Sequence, residues 1–264
     1  MNSSTTELKH ASRIKGPEGF LYVEDTGTGS IPVMFLHSFG GSTAHWNDQR
    51  EHLQTTRRTV AFDFRGHGRS GPPSDNNYSA ESMAQDIAAV ADSLGLERFV
   101  LVGHSMGGSA AVAYTAEHPE RVAGLVLAGT PGKSSEEQSK PIIAALESDA
   151  YQKVMDDYMK QLLTNAKPEV DSAVRKDVKK LSKETSVSIV KAMFQFNPID
   201  IINQYGGPVL IISTPHENSQ PNALHNLVPG VPNKIIEGTS HWTQLDKPEE
   251  FNRILDDFLR TIKE

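Results

Sequence analysis

The chain has 264 residues, 26 lysines and arginines against 33 aspartates and glutamates, and no cysteine. A formal charge of −7 argues against a nucleic-acid partner, which needs clustered basic residues. Without cysteine there is no disulfide framework, thiolate nucleophile or Cys–zinc site, and this length suits a single α/β core.

Residues 1 to about 12 are polar and read as a frayed terminus, with no apolar core of a signal peptide. Phe20–Glu24 reads as a strand ended by the turn Asp25–Gly29, and Val33–His37 as a buried strand stopped by Ser38 and Gly40–Gly41. Thr59–Phe64 is a further strand, followed by the glycine-broken segment Arg65–Ser70. Ser79 is an N-cap for a helix over Ala80–Leu94, where Met83, Ile87, Val90 and Leu94 recur at helical spacing. Phe99–Gly103 is a buried strand, Ala110–His118 a helix, and Val122–Ala128, Pro208–Ser213 and Asn233–Glu237 further strands. Glu249–Ile262 closes the chain as an amphipathic helix. Buried strands alternating with helices predict an α/β fold, a mostly parallel twisted sheet of about eight strands flanked by helices.

From about Gly132 to Asp200 no strand pattern occurs, only helical ones such as Ile142/Ala145/Leu146 and Val187/Val190/Met193/Phe194. This stretch reads as a helical lid inserted after the sixth strand. It divides the chain into a core of residues 1–131 and 201–264 and a lid of residues 132–200. The charged run Arg175–Lys180 fits a solvated helix face. No apolar run approaches the ~18 residues of a membrane span, so a soluble, cytoplasmic protein with no membrane partner is expected.

The feature that carries chemistry is Gly103-His-Ser105-Met-Gly107-Gly108, set between a buried strand and a helix. Such a turn forces the serine into a strained conformation and presents its hydroxyl clear of the sheet, at a helix N-terminus. A serine hydroxyl needs a base at neutral pH. Among ten histidines, His241 follows the last strand, where parallel sheets gather reactive groups. His104 is expected to turn sideways into packing, and His10, His52, His118 and His225 to be surface or core residues. No pair has the spacing of a helical metal site. The carboxylate that fixes the imidazole is expected after Pro208–Ser213, and Glu217 is the only acid in that loop.

Together these segments resemble the α/β-hydrolase fold superfamily, in its lid-bearing, cofactor-free serine esterase/lactonase-like branch. The likeness runs from about residue 20 to residue 260 and is weakest in the lid. It rests on Gly103–Gly108, Leu36-His-Ser-Phe-Gly-Gly41, Asp63–Ser70, and Gly238-Thr-Ser-His241-Trp242 with Lys247–Phe251. The resemblance implies no metal, no cofactor, and an oxyanion hole made by the backbone amides of Phe39 and Met106. The chain departs from the family pattern at Ser38, where glycine is common, and at Glu217, where aspartate is usual.

The expected function is hydrolysis of a small uncharged carboxylic ester or lactone through an acyl-enzyme on Ser105. Met155, Met159, Met193, Phe194 and Trp242 are candidates for an apolar substrate pocket. A second reading stays open: a small-molecule receptor or signalling partner on the same fold, with slow or vestigial hydrolysis. Oligomeric state, monomer or homodimer, is not legible.

Overall fold

In the computed structural model, residues 10–263 are described. The chain begins with β1 (His10–Gly16), β2 (Gly19–Thr26) and β3 (Ser30–Leu36), then α1 (Asn47–Leu53), β4 (Arg57–Phe62) and α2 (Ala80–Ser93). Next come β5 (Phe99–His104), α3 (Met106–Glu117) and β6 (Val122–Ala128). Five helices follow without a strand: α4 (Glu136–Glu147), α5 (Tyr151–Leu162), α6 (Pro168–Val178), α7 (Lys183–Gln195) and α8 (Ile199–Gln204). The chain returns through β7 (Val209–Ser213), α9 (Pro215–Asn218), α10 (Leu224–Leu227) and β8 (Asn233–Ile235), and ends in α11 (Thr243–Asp246) and α12 (Pro248–Leu259).

All eight strands form one sheet in the order β1-β2-β4-β3-β5-β6-β7-β8. Ladders from β4 through β8 are parallel, and β2 is antiparallel to both β1 and β4. The order reverses between β3 and β5. Chain leaving those two strands therefore diverges, which opens a crevice at their carboxyl ends. Ser38 leaves β3 there and Ser105 leaves β5, with Leu36 in register with Gly103.

The continuous apolar runs are explained by burial on both faces. In β5, Phe99 and Leu101 join the core packed under α2 and α3, whereas Val100 and Val102 join the one containing Trp46, Leu53 and α12. Helix α12 contributes Phe251, Leu255, Phe258 and Leu259 to that second core, at about 1.5–3 kcal/mol for each fully buried side chain.

Three expectations need correction. Residues 10–12 are not frayed but belong to β1, where His10 pairs with Asp25; residues 1–9 lie outside the described residues. The edge strand was hard to see because Ile14 is its one buried apolar side chain. The elbow helix starts at Met106, directly after Ser105, rather than at Ala110. Short helices at α1, α9, α10 and α11 went unread, since an element of four to seven residues has too few turns to show a period.

The segment between β6 and β7 is helical, as its patterning requires. Ser135 and Gln138 form a capping box at α4, and Ser182 caps α7. The charged run at the end of α6 is solvated, with Arg175 paired to Asp171 and Lys180 to Asp177. Among the described residues, no helix is long and apolar enough to cross a membrane.

Candidate active site

Ser105 has φ 53° and ψ −115°, a left-handed conformation rarely adopted by a residue with a side chain. The surroundings hold it there. Its amide donates to Ala128 O (2.8 Å), and its carbonyl accepts from the Gly108 and Ser109 amides. A Cβ on Gly103 would lie 2.6 Å from Gly107 O, and one on Gly107 2.5 Å from Leu36 O. Both neighbours are backbone, so the strand–helix crossing leaves no room for any side chain at either position.

The turn after β3 is equally fixed. Phe64 N–H donates to His37 Nε2 (3.0 Å), so the proton of this neutral ring is on Nδ1, which donates to Ser38 O (2.8 Å). Burial, reinforced by neighbouring His67, holds the His37 pKa well below the ordinary value. Gly41 N–H also donates to Ser38 O, at 2.9 Å, and no backbone bond of the turn uses the Phe39 amide. Met106 is the first residue of α3, so its amide is one of the first-turn donors without an intrahelical acceptor.

His241 and Glu217 meet through a hydrogen bond between Nδ1 and Oε1. Glu217 is held by the capping box of α9: its Oε2 accepts from Thr214 N–H (2.8 Å), and its own amide donates to Thr214 Oγ1 (3.2 Å). One carboxylate oxygen serves the helix cap and the other the imidazole. Burial pushes the Glu217 pKa up, but the facing His241, its hydrogen bond and those from Thr214 outweigh this and hold it below the ordinary value. The His241 amide donates to Leu162 O of α5 (2.9 Å), and Asp246 accepts from the Ser240 amide and hydroxyl (2.8 and 2.6 Å).

Ser105, His241 and Glu217 line one cavity of about 260 Å³, whose other walls include Tyr158, Leu162 and Met193 from the helical segment. No hydrogen bond joins Ser105 Oγ to His241, although both line this cavity. A second cavity, of about 210 Å³, lies within the helical segment and shares Pro131, Tyr158, Met193 and Asn222 with the first. Ile142, Leu146, Val154 and Val190 make it mainly apolar.

The five pocket candidates divide. Met193 lines both cavities, whereas Met155 and Phe194 line only the apolar one. Met159 and Trp242 belong instead to one buried cluster with Leu163, Val170 and Val174 and line neither of these two cavities. Met159 is on the buried face of α5, which helical spacing alone cannot distinguish from a face that meets a cavity; Trp242 precedes α11, where Thr243, Gln244 and Asp246 are buried as well. Phe39 and Met106 are buried and also line neither cavity.

The other histidines separate as well. His104 is buried; its Nε2 donates to His241 O (2.9 Å) and its Nδ1 accepts from Gln244 (3.2 Å). His52 pairs with Asp256, and His118 packs against Tyr114 with the two rings tilted by 42°. His225, expected as a surface or core residue, lines the first cavity. Among the described residues, no group of three or more His, Cys, Asp or Glu is placed to hold a metal ion.

Thr214, Gly129 and Tyr158 also belong to the site and are not singled out by the sequence reading. Thr214 was visible as the T-x-x-E capping pattern of Thr214-Pro-His-Glu217. Gly129 has φ 53°, and a Cβ there would lie 2.7 Å from His241 Cε1, so the end of β6 forms the floor under the imidazole. Tyr158 faces both cavities; burial, then the charge of Glu217, raises its phenol to about 12. Nothing in the sequence distinguishes Tyr158 from an ordinary helix residue.

The geometry can be set against known proteins. A 2-hydroxy-6-oxononadienedioate/2-hydroxy-6-oxononatrienedioate hydrolase of Paraburkholderia xenovorans is 27% identical over 287 residues, covering 98% of this chain and 99% of that one. A dihydrolipoyllysine-residue acetyltransferase component of the acetoin cleaving system of Cupriavidus necator is 26% identical, over 87% of this chain; the chain spans 63% of that relative's length. The solved enol-lactonase of Burkholderia xenovorans LB400 has the same fold, with a TM-score of 0.82 at 23% identity over 94% of this chain and all of that one. The family model for the alpha/beta hydrolase fold matches residues 31–162, half of the sequence. On that match, and on the eight-stranded sheet that carries it, the chain belongs to the alpha/beta hydrolase fold family.

Proposed function

We propose that the chain is a serine hydrolase that cleaves small uncharged carboxylic esters or lactones through an acyl-enzyme on Ser105. The observation that carries this reading is one cavity lined by a strained serine, a histidine and a carboxylate, the last two hydrogen-bonded to each other. Ser105 Oγ attacks the carbonyl carbon while His241 Nε2 takes its proton; that proton then passes to the leaving alkoxide. Water, activated by the same nitrogen, cleaves the acyl-enzyme. Glu217 keeps the other imidazole proton on Nδ1, so that Nε2 is free to act as base, and stabilises the imidazolium that forms.

The amides of Phe39 and Met106 receive the oxyanion. Backbone donors are fixed before charge develops, and one such donor contributes about 3 kcal/mol to the barrier. The helical segment of residues 132–200 acts as a lid, and its apolar cavity takes an uncharged acyl group or ring. The relatives' chemistry agrees at the level of class, since a hydrolase is among them.

A panel of short acyl esters and lactones tests the reading. Steady turnover at neutral pH, without added metal or cofactor, is the expected result. Binding that raises the unfolding temperature with no product formed would overturn it and favour the receptor alternative.

A further inference from the structure

The oxyanion turn and the histidine loop come from opposite ends of the chain, yet one buried bond joins them. Trp242, the residue after His241, donates its indole Nε1–H to Ser38 Oγ at 3.2 Å. Both residues are about 1% exposed, so water cannot substitute for either partner. Ser38 is thereby pinned twice over: its carbonyl accepts from His37 Nδ1 and the Gly41 amide, and its hydroxyl accepts from the indole. The next amide along is that of Phe39. On the other side, Trp242 belongs to a buried apolar cluster with Met159, Leu163, Val170 and Val174, and its own amide donates to Ser240 Oγ (3.2 Å). A glycine at position 38 would keep the backbone bonds and lose the tie.

We propose that Ser38 and Trp242 are a pair of positioning residues that fix the Phe39 amide relative to His241 through the indole–hydroxyl bond. This rests on the serine-hydrolase reading above. Oxyanion donor and base must act on the same tetrahedral centre, one on its oxygen and one on the serine proton. Their separation is otherwise set by two loops that share no backbone hydrogen bond. The tie acts on the transition state more than on ground-state binding, because neither residue lines the cavity. The turn keeps its remaining bonds when the tie is cut, so the loss is smaller than the ~100-fold that a displacement of about 1 Å can cause.

The test is a double-mutant cycle on S38A and W242F, read in kcat and KM on a short acyl ester, with S38T as the variant that keeps the hydroxyl. The expectation is a loss of roughly tenfold in kcat for each single variant, with KM within about twofold. S38A/W242F should be no slower than the worse single, since both changes cut the same bond, and S38T should stay near wild type. Unfolding temperatures, measured alongside, separate a destabilised fold from a mispositioned one. Unchanged kcat in S38A, or losses that multiply in the double variant, would overturn the proposal. S105A serves as the control on the underlying reading: if it stays active, that reading fails, whereas an inactive S105A beside a fully active S38A sinks only the tie.

Discussion

The loops at the carboxyl ends of the strands and the helical segment of residues 132–200 face the same cavity but are built differently. In the loops, buried polar groups bond one another: His104 to His241 O, Trp242 to Ser38, His37 to Phe64, and Asp246 to Ser240. Glycines stand where backbones touch. In the helical segment the walls are Leu146, Met155, Val190 and Phe194, and the polar contacts are mostly exposed ion pairs such as Lys153–Asp157. Buried hydrogen bonds are directional and costly to break, whereas apolar contacts tolerate rearrangement. The first construction holds side chains in fixed places, and the second leaves a wall that can rearrange.

The contrast breaks at once if the largest effects come from the wrong side. S105A and H241A should each lower kcat on an ester by about 10⁶-fold while the protein still folds, since the elbow depends on its glycines rather than its hydroxyl. E217Q should cost less, about 10³–10⁴-fold, as the imidazole loses its partner but keeps its place over Gly129. Steady-state kinetics on all three decides whether Glu217 is the acid; an unchanged E217Q would remove it from the mechanism.

Stability sharpens the same comparison. A methyl on Gly107 would meet two backbone oxygens, Leu36 O at 2.5 Å and His37 O at 2.6 Å, neither able to move alone. G107A should therefore cost about 3 kcal/mol or more in denaturant unfolding, although only one methyl is added.

The buried histidines of the loops make a pH signature. Burial pushes His67 down to about 4, so below pH 6.5 the unfolded chain binds a proton that the folded one refuses. Stability is thus fully present above pH 6.5 and falls as the pH drops toward 4, by a few kcal/mol, and H67Q should flatten that slope. A second fall between pH 4.5 and 2 comes from Glu24: burial alone would raise its pKa, but Arg50 and Arg69 hold it at about 2. Thermal unfolding across pH 2–8 reads both steps.

The smallest effect belongs to the helical segment. F194A should shift the acyl-chain preference a few-fold and cost about 1–2 kcal/mol, leaving the reactivity of Ser105 untouched. A large loss of kcat on the shortest ester would mean that the two regions are not separable in this way.

The same division governs what could be read from the sequence. The elbow, His241 and Glu217 were legible because each follows a strand, and strands with both faces covered leave unbroken apolar runs. Where a helical residue points was not legible. Met159 and Met155 sit four positions apart on α5, yet one joins the buried cluster that contains Trp242 and the other lines a cavity. Spacing gives a face, and only the neighbouring helices decide whether that face meets a wall or a void. The edge strand β1 was missed for the complementary reason, since a strand with one buried side chain carries almost no pattern.

The most direct measurement of the central claim is intact-protein mass and peptide mapping after reaction with a small fluorophosphonate. This reagent is attacked by a serine whose proton a neighbouring base removes. One adduct per chain, located on Ser105, absent in S105A and strongly slowed in H241A, is the predicted result. An adduct on another residue, or none on a folded protein, would contradict it.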